Sequence, residues 1–145
     1  MVVRVERAVD VRAPRETVWE FIADPERRAR PISVVEQFEQ RDENTHVWHV
    51  ALPIPVINRT IAIETTEHTR DPPSYVEFVG TSKVLRVVGE HPLTESDGMT
   101  RLVNRFTVEG NVPGVERYFK KNLDTELDNL EAALREYLQT VSTDE

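Results

Sequence analysis

A chain of 145 residues suits one domain, 1–145, with a sizeable buried core, and leaves no room for a second of ordinary size. Its 26 acidic residues against 18 basic ones give a net charge of -8, a field that repels nucleic acid and anionic membranes as principal partners. The absence of cysteine excludes disulfides, thiolate nucleophiles and cysteine-ligated zinc.

Arginine supplies 15 of the 18 basic residues, an acid-rich, lysine-poor balance that resembles salt-adapted cytoplasmic proteins. The opening "MVVRVERAVDV" lacks the apolar run of a signal peptide, and no segment approaches ~18 consecutive apolar residues. A soluble, cytoplasmic protein without stable membrane insertion is expected.

Alternation of Val5, Arg7, Val9 and Val11 predicts a first strand. Pro14 suits the first turn of a helix in which Val18, Trp19, Phe21 and Ile22 share one apolar arc. Asp24 and Pro25 read as an N-cap and first residue of a second short helix, which Pro31 closes. Period-two patterns separated by turn residues then predict strands near 33–40, 46–52, 57–69, 75–80, 84–92 and 100–109, joined as an antiparallel meander. A long helix is expected from near Asn111, its cap, with an apolar stripe from Val115 through Phe119, Leu123, Leu127, Leu130 and Leu134 to Leu138, followed by a short polar tail, "STDE".

The stretches "VDVRAPRETVWEFIADPERRARPI", "HVWHVALPI" and "GMTRLVNRFTVEG", the last followed by the long helix, resemble the SRPBCC superfamily. That superfamily includes START lipid-transfer domains, birch-pollen-allergen-like proteins, and polyketide cyclases and dehydrases. Among its branches the chain is most similar to the polyketide-cyclase group and to the accessory-protein branch of carbon monoxide dehydrogenase. The resemblance implies an α+β helix-grip fold, with a curved seven-stranded antiparallel sheet wrapped around the C-terminal helix and two short helices after the first strand. It also implies an apolar cavity between sheet and helix for a lipid, quinone or polyketide, and it carries no catalytic motif.

Candidate ligand-binding residues follow from inward rows. Leu102, Asn104 and Phe106 share one side of the last strand, where the Asn104 amide either orients a ligand or is satisfied by neighbouring backbone or buried water. Trp48 shares a row with Val50 and Leu52, as cavity wall or plain core. Arg59 interrupts the row Ile57, Ile61, Ile63, either to bind a carboxylate at the cavity mouth or to reach solvent from the rim. On the long helix Tyr118 and Phe119 sit near its start, and Asn122 and Glu126 lie on one margin of the stripe. Glu126 reads as an acid/base or hydrogen-bonding group if buried, or as a carboxylate reaching water. "PERRAR" reads mainly as a solvated basic helix face.

His46, His49, His68 and His91 have no metal-site spacing, and zinc-hydrolase, serine-hydrolase and nucleotide-binding patterns are absent, so no catalytic residue, metal or cofactor is assigned. The expected function is carriage of a hydrophobic small molecule. The alternatives are a cyclase or dehydratase using Glu126 or a histidine, and an accessory component of a larger enzyme, like the one that serves carbon monoxide dehydrogenase. No C-terminal membrane-recruiting extension is expected, since the chain stops at Glu145.

Overall fold

The computed structural model describes residues 2–55, 57 and 59–143, with side chains described as far as Val141. Strand β1 (Val2–Val11) leads into helices α1 (Arg15–Ile22) and α2 (Pro25–Ala29). Strands β2 (Val35–Gln40), β3 (Thr45–Val50), β4 (Ile61–Asp71), β5 (Tyr75–Thr81), β6 (Leu85–Ser96) and β7 (Met99–Gly110) precede helix α3 (Val115–Thr143). All seven strands form one antiparallel sheet in the order β1-β7-β6-β5-β4-β3-β2, so the first strand closes against the last. This is the curved sheet and long helix of an α+β helix-grip fold.

Local sequence explains the joints. Asp24 Oδ1 accepts hydrogen bonds from the backbone N of Glu26 at 2.9 Å and of Arg27 at 3.3 Å, satisfying two donors that the first turn of α2 leaves without helical partners. Asp97 and Gly98, both at positive φ (53° and 78°), form the two-residue turn of the β6–β7 hairpin, which the strand twist favours. The chain enters α3 through Gly114 at φ 95°.

Three boundaries differ from the periodicity reading by about four residues, among them the end of β6, which runs to Ser96 because its ladder with β7 continues to the Asp97–Gly98 turn. Helix α3 begins at Val115, because the Asn111 backbone N donates to Val84 O at 2.8 Å and ties 111–114 to the β5–β6 turn instead of capping the helix. Strand β4 begins at Ile61, the residue paired with Val50 where β3 ends, so Ile57 and Arg59 have no partner strand to extend along. Pro14 is the N-cap of α1, one place ahead of its first turn. The predicted polar tail starts inside α3, while Val56, Asn58, Asp144 and Glu145 lie outside the described residues.

The core lies between the concave face of the sheet and the helices. Val115, Phe119, Leu123, Leu127, Leu130 and Leu134 are buried along α3, which packs on β1 and β7 and, further along, on α1. Among the described residues no helix is long and apolar enough to cross a membrane.

Candidate functional site

Under the first half of α3 the concave sheet and the helix enclose a cleft. Its floor is Trp48 and Val50 of β3, Ile63 of β4, Leu85 and Val87 of β6, and Phe106 and Val108 of β7. Phe119, Leu123 and Glu126 form the roof, and Ile32, Val34 and Val35, at the junction of the α2–β2 connector with β2, form the side wall. Among the described residues, every one that lines the cleft except Glu126 is apolar.

The cleft measures about 50 Å³. Pockets that hold small molecules are usually about 300–1,000 Å³, so the cavity implied by the resemblance is nearly closed here. The reason is steric. Trp48, Phe106 and Phe119 turn their rings into the same space from strand and helix.

Four of the predicted ligand residues, Trp48, Phe106, Phe119 and Glu126, line the cleft. Leu102 and Asn104 are buried on β7 outside its lining. Tyr118 and Asn122 are half-buried on α3, where Asn122 Nδ2 donates to Tyr118 O at 2.8 Å. Arg59 is exposed beside Lys83 in a surface groove, placing it at the rim and away from the inward row.

Glu126 is buried at 2 % exposure, and its carboxylate holds the connector. Oε1 accepts from the Ser33 backbone N at 2.9 Å and Oε2 from Ser33 Oγ at 2.7 Å, while Asn129 Nδ2 donates to Oε1 at 3.0 Å. Ser33 lies between two wall residues, Ile32 and Val34, so this carboxylate fastens the side wall of the cleft to its roof.

Asn104 serves a buried histidine. His91 Nδ1 donates to Asn104 Oδ1 at 2.8 Å, leaving Nε2 with a lone pair and no partner among the described residues. Burial, and secondarily the charge of Arg28, pull the His91 pKa down to about 3 against the opposing effect of the Asn104 bond. His91 is therefore neutral at physiological pH.

This pair belongs to a cluster around Phe78. The Phe78 ring centroid lies 5.3 Å from Trp48, 6.1 Å from His91 and 6.2 Å from Phe106. The Arg28 guanidinium sits 4.8 Å from the same centroid, donates from Nη1 to Ile22 O at 2.9 Å and lies 3.7 Å from Glu67. Burial lowers the Arg28 pKa to about 10, partly offset by Glu67, so the group remains a cation. Arg28 is therefore core, contrary to the solvated-face reading of its helix. The cluster includes the Trp48 and Phe106 rings that line the cleft.

Titration of His91 has a definite sign. The folded pKa of about 3 lies below the ordinary histidine value of 6.5, so between these values the unfolded chain binds one more proton. Its stabilising contribution is complete above the unfolded pKa and is lost as pH falls toward the folded one, at about 1.4 kcal/mol per pH unit at most. Urea titrations from neutral to acid pH should show His91→Gln losing less stability on acidification than the parent. Equal losses would remove His91 as the source.

No group of three or more His, Cys, Asp or Glu suited to a metal ion occurs among the described residues. A sheet gripping a helix over an apolar cleft, fastened by one buried carboxylate, defines a helix-grip protein of the hydrophobic-pocket class. Residues 2–135 match the family described as polyketide cyclase/dehydrase and lipid transport, and the chain belongs to that family, within the SRPBCC superfamily.

Solved structures with the same fold include the Zhui aromatase/cyclase of Streptomyces sp. R1128, at 20% identity and TM-score 0.74 over 97% of this chain and 96% of that one. A conserved protein of Geobacillus kaustophilus shows 14% identity and TM-score 0.76 over 95% and 97%. A START superfamily protein of Mycobacterium smegmatis shows 15% identity and TM-score 0.73 over 95% and 98%. No curated protein matches the chain in sequence.

Proposed function

We propose that the protein binds and carries one hydrophobic small molecule, a lipid, isoprenoid or quinone, or polyketide-like compound, between the sheet and α3. The observation that supports this reading is the cleft lining, apolar from strand, helix and connector alike except for one carboxylate. Burial of apolar ligand surface supplies affinity at roughly 25 cal/mol per Å². With about 50 Å³ available, the guest enters by parting the side wall from the roof.

Trp48 lines the cleft and reports occupancy. In Trp19→Phe, which leaves Trp48 as the only tryptophan, fluorescent fatty acids, quinones and polycyclic phenols are titrated while the Trp48 emission is followed. Saturable quenching or energy transfer at one guest per chain is expected, and is abolished when Val87→Trp fills the floor. A complete panel without saturable response contradicts carriage.

Glu126 governs entry in this reading. Glu126→Ala removes both bonds to Ser33 and is expected to cost about 1–3 kcal/mol. It should also accelerate guest association and Ser33 amide exchange. Glu126→Gln, which can still accept from the Ser33 amide, should retain most of the closed wall. Unchanged association in Glu126→Ala would refute the fastening role.

A cyclase or dehydratase reading draws on the family and on the free Nε2 of neutral His91, whose ring lies 5.5 Å from the cleft-lining Phe106. It requires a proton-transfer group to reach the guest. Turnover of a confirmed substrate that survives both Glu126→Gln and His91→Gln would eliminate those two groups.

A further inference from the structure

The cations of this chain differ in their pairing. Arg7, which faces α3 from the inward row of β1, Arg27 and Arg30 at α2, and Arg101 and Arg105 on the outer face of β7 are matched to carboxylates. Arg4, Arg12 and Arg86, on β1, just after it and on β6, are exposed with no carboxylate partner among the described residues, and so are the five cations Arg59, Lys83, Arg117, Lys120 and Lys121. All three lysines of the chain are among those five.

These five gather at one end of the fold. Arg59 and Lys83 line a groove before β4 and at the β5–β6 turn, and Arg117 and Lys120 line another between β1 and the β7–α3 loop. The bond from Asn111 N to Val84 O joins the two sides at 2.8 Å, and a Cβ on Gly114 would lie 3.1 Å from Ile54 Cγ2, so the β3–β4 connection touches 111–114 at Ile54. Between the cations are exposed Pro53, Pro55 and Pro113 and half-buried Ile57, Val84 and Val112.

Carboxylates at this end are Glu36, which accepts from Thr60 Oγ1, Glu109, and Glu116, which accepts from Gly110 N. Asp124, one turn along α3 from Lys120, is held by Arg7. The end is thus locally cationic in a chain of net charge -8. Screening acts over about 8–10 Å at ordinary salt, so acidic groups toward the far end of the 29-residue α3 do not cancel this local field.

We propose that this end docks reversibly on an anionic lipid surface, with the apolar loops at headgroup level and the surrounding cations on the phosphates. The match is one of charge together with a ring-and-tip arrangement. Cations on three separate segments surround an apolar tip, which suits a surface that imposes no shape of its own. The same end adjoins the connector, because Ala51 N donates to Val34 O at 2.9 Å. Docking therefore sets the side wall of the cleft beside the bilayer, and a guest exchanges there without crossing bulk water. This last step rests on the carriage reading, whereas docking itself stands on the charge distribution.

Co-sedimentation of the whole chain with phosphatidylglycerol-containing vesicles and with pure phosphatidylcholine vesicles tests the proposal. Binding to the anionic vesicles at low salt, release at high salt and no binding to phosphatidylcholine are expected. Lys83→Glu with Lys120→Glu should weaken binding about tenfold or more. Arg12→Glu with Arg135→Glu, the same charge change at the far end, should leave it within about twofold by the same arithmetic. Failure of the parent to bind, equal binding to both lipids, equal loss in both double variants, or capture only by an acidic protein would each overturn docking. Vesicle binding without guest uptake would remove carriage and leave docking standing, and uptake without vesicle binding would do the reverse.

Discussion

Gly89→Ala is expected to destabilise the protein by about 3 kcal/mol or more. A Cβ at this position would lie 2.1 Å from Phe78 Cε1 and 2.6 Å from Cζ, far inside van der Waals contact. The ring has nowhere to retreat, because Arg28, Trp48, His91 and Phe106 surround it. Glycine is required here by the close approach of the ring across the β5–β6 pair, in which Phe78 and Gly89 are directly opposite. Urea denaturation checks the loss. Combining Gly89→Ala with Phe78→Leu should cost less than the two single changes summed, since each relieves the other. Strict additivity would contradict the clash.

Arg28→Met should cost about 3 kcal/mol, the lower end of what breaking a buried ion pair usually takes. Three contacts go together: the bond to Ile22 O at 2.9 Å, the approach to Glu67 at 3.7 Å and the position over Phe78. The lower end applies because Glu67 keeps Arg70, whose Nη1 lies 3.1 Å from Glu67 Oε2. Arg28→Lys should recover little, since an ammonium cannot lie flat over the ring while reaching the carbonyl. Thermal unfolding of both variants checks this. A nearly neutral Arg28→Met would mean that the guanidinium's contacts contribute no net stability.

The Asn104 partnership was recoverable from the chain alone. Once Asp97 and Gly98 are recognised as a two-residue hairpin turn, Ser96 faces Met99 and the register carries forward through Leu93 opposite Leu102 and Glu90 opposite Arg105. His91 then falls opposite Asn104 on the same inward row. The row Leu85, Val87, Gly89, His91 and Leu93 is itself period two. The pair is invisible in either strand alone and emerges from the register of the hairpin.

Other features have no such signal. Helix α2 has only five residues, too few for periodicity to separate Arg28, which is buried, from Arg27 and Arg30, which are not. Arg59 alternates correctly with its apolar neighbours, but a strand needs a partner and β3 has ended by Val50. The margin position of Glu126 was legible from helical geometry, whereas its partner Ser33 lies 93 positions away and is brought to it only by the fold. Closure of the cleft depends on how sheet curvature converges three aromatic rings, a quantity no local pattern encodes.

Carriage requires the cleft under α3 to open and admit a hydrophobic guest. Its most direct test is a methyl-resolved NMR titration with the guest that quenches Trp48 most strongly. Saturable shifts and guest-to-methyl Overhauser contacts at Val34, Leu85, Val87 and Leu123 are expected, together with loss of the Ser33–Glu126 bonds in the complex. Contacts confined to the outer grooves, with Ser33 still held by Glu126 at saturation, would contradict it.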